Sequence, residues 1–176
     1  ILDCAAAFIE SPTRIGTVEL TRSGVPHYKN PAHPVFIADA GRIKRIETCL
    51  GTGESFYRAM AQLGFKDWTG KNLVIFGSGK VGTGLITYAH QLGARISVVT
   101  EPSTISARLK TLTDVTWIAF NDKAAVEKAV AAAHAVVTAT GVAGAATYAA
   151  DARAYTESRA LLSNMGVEDE YGPGVP

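Results

Sequence analysis

Leu73-Val74-Ile75-Phe76-Gly77-Ser78-Gly79-Lys80-Val81-Gly82 is an apolar run stopped by glycine, with two more glycines at the spacing G-x-G-x-x-G. Four consecutive apolar residues closed by glycine read as a strand buried on both faces. Beyond the glycines, Val81, Leu85, Tyr88 and Leu92 recur at helical spacing, and Gly93 offers a terminator. The glycine pattern alone is a weak signal; between a strand and an amphipathic helix it becomes specific. In that setting the first glycine permits a tight turn and the second lets backbone approach a pyrophosphate. The third lets the helix pack on the strand, while the helix's free N–H groups and dipole face the phosphates. Gly77, Ser78, Gly79, Lys80, Val81 and Gly82 are therefore the expected phosphate-binding loop.

A dinucleotide site of this kind calls for a carboxylate about 20 residues farther on, at the end of the next strand. Glu101 stands there, directly after Ile96-Ser97-Val98-Val99-Thr100. It can accept hydrogen bonds from the adenosine ribose hydroxyls and would repel a 2′-phosphate, and no arginine follows at Pro102 or Ser103. NAD is the expected cofactor, ahead of NADP. A P-loop is ruled out, because G-x-x-x-x-G counted from Gly77 ends at Gly82 and is followed by Thr83 instead of Lys-Ser/Thr. The competing reading makes the glycines a plain turn and Glu101 a favourable charge at the next helix start.

The alternation continues downstream. Val115 to Phe120 reads as a strand and Asp122 to Ala133 as an alanine-rich helix capped by Asn121 or Asp122. His134 to Thr138 is a strand, Thr147 to about Thr156 a helix, and Arg159 to Ser163 a strand. Five strands alternating with helices predict an α/β fold, a Rossmann-type doubly wound parallel sheet with helices on both faces. Upstream, the apolar positions Ile43, Ile46, Leu50 and Met60 suggest helix between about Ala40 and Leu63, interrupted near Gly51-Thr52-Gly53. Residues 1–40 carry Pro12, Pro26, Pro31 and Pro34 and read as an irregular lead-in with one strand-like stretch, Thr17 to Thr21. The expected division is this lead-in, as the remnant of a substrate domain, and a nucleotide domain over 41–176.

Bulk properties narrow the partners. The chain's 176 residues hold 47% hydrophobic and 19% charged residues, an ordinary globular balance. A formal net charge of +1 gives no electrostatic reason to expect nucleic acid or an acidic membrane. Cys4 and Cys49 are too few for a disulfide framework, which favours a reducing cytoplasm. No apolar run approaches the ~20 residues of a membrane helix. His27, His33, His90 and His134 have no spaced partners, so no metal is expected. The opening on Ile1 and the close on Gly172-Pro173-Gly174-Val175-Pro176 read as a segment cut from a longer protein.

From Ile37 to Gly166 the chain resembles the NAD-binding domain of S-adenosylhomocysteine hydrolase (adenosylhomocysteinase). The segments that carry the resemblance occur in order. They are Leu50-Gly51-Thr52-Gly53-Glu54-Ser55, Thr69-Gly70-Lys71, Val74 through Gly84, Gly93-Ala94-Arg95 and Val99-Thr100-Glu101. Val137-Thr138-Ala139-Thr140-Gly141 and Ser163-Asn164-Met165-Gly166 complete the set. Glu19-Leu20-Thr21-Arg22-Ser23-Gly24-Val25 looks like a degraded copy of the family's glutamate-threonine stretch. The resemblance implies that Glu101 takes the adenosine ribose and that Thr138, Ala139, Thr140 and Gly141 line the cofactor. It also implies that Asn164 borders the nicotinamide and substrate, with Thr21 to Ser23 on the nicotinamide side. The blander reading is that Thr138, Thr140 and Asn164 only cap strand ends.

Departures from the family fall on its chemistry. Its lysine-phenylalanine-aspartate-asparagine segment reads here as Arg45-Ile46-Glu47-Thr48, its cysteine before the nicotinamide as Thr52, and one histidine as Val167. A guanidinium is a poor base at neutral pH and valine transfers no proton. The expectation is thus an NAD-binding domain of an adenosylhomocysteinase-like protein, working with the parent's substrate domain, its oligomeric state open. An NAD-dependent dehydrogenase of the 2-hydroxy-acid type and a noncatalytic NAD-binding module stand as alternatives.

Overall fold

The computed structural model describes residues 1–175, which divide into two compact units, 1–47 and the described residues from Thr48 on. In the first, three short strands pair in parallel in the order β1 (Leu2–Asp3), β2 (Thr17–Glu19), β3 (Val35–Ile37), followed by α1 (Arg42–Ile46). Two buried carboxylates tie its loops together. Asp3 accepts from the Cys4 and Phe8 amides and the Tyr28 hydroxyl, and Glu19 from the Thr21 hydroxyl and the Arg22 and Gly24 amides. Burial, reinforced by Asp3, pushes the Tyr28 phenol up to about 12. The sequence signalled only β2; strands of two or three residues are too short to display a period.

The second unit opens with α2 (Thr52–Gln62) and then alternates. Its further elements are β4 (Asn72–Phe76), α3 (Lys80–Gln91), β5 (Arg95–Val99), α4 (Ala107–Lys110), β6 (Val115–Ile118) and α5 (Lys123–Ala131). β7 (Ala135–Thr138), α6 (Ala145–Ala149), α7 (Ala152–Glu157) and β8 (Leu161–Asn164) follow. All five strands are parallel, in the order β6-β5-β4-β7-β8. This is the expected Rossmann-type sheet, with the reversal of strand order beside β4.

The pleat sorts each strand's side chains between two cores. Leu73 and Ile75 of β4 join Ile96, Val98, Ala135 and Val137 under α2 and α3. Val74 and Phe76 face the other way, with Val99, Val136, Val126 and Val130 of α5, and Tyr155. Each Val, Leu, Ile or Phe among them, fully withdrawn from water, contributes about 1.5–3 kcal/mol, which is why a purely apolar strand fits this central position.

Three boundaries differ from expectation. The helix expected over 147–156 is two helices, because Ala150 is extended and Asp151 caps a new start by accepting from the Arg153 amide. The last strand lies one or two residues later than expected, at Leu161–Asn164. Upstream, the helix is not broken at Gly51-Thr52-Gly53. A π-helical turn spans Glu47–Gly51, and α2 follows directly. Gly53 serves packing instead: a Cβ there would lie 2.7 Å from the Gly84 carbonyl carbon, and one on Gly84 would lie 1.7 Å from the Cys49 oxygen. α2 and α3 therefore cross on two glycines. The α5 cap is Asp122, whose carboxylate accepts from the Ala125 amide at 3.1 Å. Among the described residues no helix is long and apolar enough to cross a membrane.

Candidate functional site

The glycine loop leaves β4 through Gly77, whose φ of +95° is a conformation that favours glycine. A Cβ on Gly77 would also come 2.6 Å from the Ala139 oxygen, so this residue lets the loops after β4 and β7 close on one another. Gly82 has a similar reason: its Cβ would lie 2.1 Å from the Gly77 oxygen, where α3 packs under the loop. Gly79 is different. Its φ is −67°, and a Cβ built on it meets no heavy atom within 4 Å. The open space at Gly79 is what a close approach of backbone to a phosphate requires, so the loop fits the group that its sequence implied. The Thr83 amide donates to the Gly79 carbonyl at 2.8 Å, so the first intrahelical bond forms there, and the amides ahead of it make up a helix N-terminus.

Hydroxyl groups join this loop to the end of β5. Ser78 Oγ lies 2.8 Å from Thr100 Oγ1 and 3.2 Å from Thr104 Oγ1, and the two threonines are 3.2 Å apart. The Glu101 carbonyl accepts from the Thr104 amide at 2.9 Å and hydroxyl at 2.7 Å, shaping a short 3₁₀ turn, Pro102–Thr104. The Glu101 side chain is left exposed.

These loops border a cavity of about 510 Å³ at the carboxyl ends of the strands. Its lining includes Gly77, Ser78, Gly79, Glu101, Ala139 and Thr140, so six of the twelve residues expected from sequence come together. Lys80, Val81, Gly82, Thr138, Gly141 and Asn164 are not part of that lining. Thr138 is fully buried, and its hydroxyl donates to Asn164 Oδ1 at 3.0 Å, while Asn164 Nδ2 donates to the Glu168 carbonyl. These two groups are engaged with the protein itself. Thr21 and Ser23 pair with each other at 2.7 Å within the first unit.

Sequence reading missed the cavity's apolar side, made by Phe120, Val142, Ala145 and the exposed Tyr148. Phe120 could have been found as an aromatic residue closing a strand pattern; Tyr148 had no signal of its own. Also missed were Glu170 and Tyr171. The Tyr171 hydroxyl donates to the Val136 carbonyl at 2.8 Å, and burial pushes its pKa up, so it stays a donor. A larger concavity of about 1120 Å³ runs along β5, β6 and α5. It reaches neither the glycine loop nor Glu101, and its rim mixes Arg95 and Lys128 with Asp114 and Asp122. The smaller cavity sits at the switch in strand order, where open α/β sheets bind ligands. Among the described residues no group of three His, Cys, Asp or Glu side chains converges as a metal site.

Known proteins share this fold. A family model described as NAD(P)-binding matches residues 65–170, and no curated protein matches. Among solved structures, a dipicolinate synthase chain from Bacillus halodurans is similar at 13% identity and a TM-score of 0.57, over 84% of this chain and 51% of that one. The corresponding dipicolinate synthase chain from Bacillus subtilis is similar at 11% identity and 0.56, over 92% and 60%. A D-isomer specific 2-hydroxyacid dehydrogenase family protein from Aeromonas salmonicida subsp. salmonicida is similar at 15% identity and 0.51, over 91% and 55%. At these identities the likeness is one of fold, and the chain spans only about half to three-fifths of those three proteins' lengths.

Proposed function

Because the chain belongs to the NAD(P)-binding family, we propose that it is the NAD-binding domain of an adenosylhomocysteinase-like protein. It takes NAD ahead of NADP and holds it for redox-assisted chemistry on a nucleoside or thioether substrate of the intact protein. The observation that carries the cofactor assignment is the exposed Glu101 carboxylate, on the same cavity as Gly77, Ser78 and Gly79. On this reading the Gly79 backbone meets the pyrophosphate and Glu101 accepts from the adenosine ribose hydroxyls. Phe120, Val142 and Tyr148 offer an apolar wall to the adenine. Bound NAD supplies a hydride acceptor, and the chain's own part is to orient it.

The adenosylhomocysteinase-like part of the proposal is supported by the ordered segments from Leu50 to Gly166. Arg45, Thr48, Thr52 and Val167, in place of that family's reactive groups, point to a substrate or a division of labour of its own. A second reading, a 2-hydroxy-acid dehydrogenase, is favoured by Trp68-Thr69-Gly70-Lys71 ahead of β4, a lead-in shared with such enzymes. Titration calorimetry with NAD and NADP tests the cofactor choice; equal or tighter NADP binding defeats it. In the intact protein, net conversion of NAD to NADH favours the dehydrogenase, whereas turnover with no net NADH favours cofactor recycling.

A further inference from the structure

Beyond β8 the chain turns back across the carboxyl end of β7 and is fastened there at three points. Asn164 Oδ1 accepts from the Thr138 hydroxyl at 3.0 Å and the Gly166 amide at 3.1 Å. The Tyr171 hydroxyl holds the Val136 carbonyl. Between them lies Glu170, with none of its surface exposed. Its Oε2 accepts from the Thr140 amide and the Thr140 hydroxyl, each at 2.7 Å, and its Oε1 accepts from the Gly141 amide at 2.7 Å. A carboxylate withdrawn from water is costly unless donors satisfy it, and here three short ones do. The site is built to admit it: a Cβ on Gly166 would lie 1.8 Å from Glu170 Oε1.

All three donors belong to one turn. Its other bonds include those from the Val142 amide to the Thr140 hydroxyl at 3.0 Å and from the Ala145 amide to the Val142 carbonyl at 3.2 Å. Glu170 is thus the side chain that ties the tip to the segment beyond β8, while Gly141 has a φ of +74° and Val142 is 59% exposed. The same turn supplies Thr140, Val142 and Ala143 to the cavity wall. We infer that Glu170 is a positioning residue for the nucleotide, its carboxylate clamping the Thr140–Val142 turn into the shape that forms this wall. The inference rests on the reading of the cavity as the nucleotide site. It also explains the Thr140 and Gly141 amides: they are spent on Glu170, so the loop contributes shape and apolar surface in place of amide donors. A turn that holds its binding shape only a tenth of the time weakens apparent affinity about tenfold.

The test uses Glu170→Gln and Gly166→Ala. Glutamine keeps the volume but sets an N–H₂ against N–H donors. The added methyl at 166 displaces a carboxylate that is still present. At a temperature where each variant is fully folded by circular dichroism, amide exchange at Thr140 and Gly141 accelerates while that of Val136 and Val137 stays unchanged. The Kd values for NAD and for AMP rise together, by about tenfold. The exposed neighbour variant Glu168→Gln changes neither quantity. Thr140→Ala, which removes one donor to Glu170 together with the acceptor of the Val142 amide, gives a rise in the same direction. Unchanged exchange, or folded variants with wild-type Kd for both nucleotides, overturns the inference alone. A wild-type chain that binds neither nucleotide overturns the cavity reading, and the inference with it.

Discussion

Gly79→Val separates binding from folding more cleanly than any other change in the glycine loop. At Gly79 the backbone has φ −67° and extended ψ, a conformation open to any residue, and a Cβ would meet nothing within 4 Å. The variant should therefore fold. Valine is a poorer N-cap than glycine, and a cost of about 1 kcal/mol lowers Tm by about 2–4 °C in a chain of this size. The space the side chain fills is, on the proposed reading, where the pyrophosphate sits. Hydrogen bonds to a charged group are worth about 1.5–3 kcal/mol each, so displacing the phosphates from two amides weakens binding by about 10²–10⁴-fold. Gly82→Ala provides the contrast. Its methyl would fall 2.1 Å from the Gly77 oxygen, so this smaller change should cost more stability than Gly79→Val. Calorimetric NAD titration paired with thermal melts of both variants reads the two effects separately. Wild-type NAD affinity in Gly79→Val would refute the phosphate assignment, and a Tm drop larger than that of Gly82→Ala would refute the claim of open space.

Three further outcomes follow from the same cavity. Glu101→Gln removes the charge but not the reach, so NAD affinity should fall by about 10- to 100-fold while NADP affinity holds or rises, by calorimetry; a parallel loss for both nucleotides counts against the ribose contact. Tyr148→Ala should weaken NAD and AMP by the same factor, about 5-fold or more, if the exposed ring stacks on adenine, and leave nicotinamide mononucleotide unaffected. With saturating NAD, the chain should release no adenosine or homocysteine from S-adenosylhomocysteine above a no-protein control. Each missing acid-base group forfeits about 10²–10⁴-fold, and Arg45 and Val167 stand where the resemblance implies two of them.

The sheet was legible because its signal is local and repeated. Leu73 to Phe76 is apolar on both faces, and the structure shows Leu73 and Ile75 in one core, Val74 and Phe76 in the other. Gly77 and Glu101 were legible as well, since a positive φ and a strand-end carboxylate leave residue types that a reader can look for. The break at Ala150 and the π turn at Glu47–Gly51 were not. Alanine is the best helix former, and nothing at Ala150 predicts an extended residue; Asp151 sets the new start there. The glycines at 51–53 suggested interruption by propensity, but Gly53 and Gly84 are required by the closeness of two helices, a tertiary demand with no local mark.

Glu170 shows where sequence reading of the site reaches its limit. In the sequence it is one acid among Glu168, Asp169 and Glu170, a run that composition assigns to solvent. The structure exposes the first two and buries the third completely. What distinguishes them is the room left by Gly166 and the donors at Thr140 and Gly141, some thirty residues earlier in the chain. The resemblance implied Thr138 to Gly141 and Asn164 as cofactor residues; in the fold Ala139 and Thr140 border the cavity, Thr138 holds Asn164, and Thr140 and Gly141 hold Glu170. A residue can thus matter to a nucleotide site by giving up its own hydrogen bonds to fix a wall. No motif records that role, because it is shared between two segments that meet only after β7 and β8 have paired.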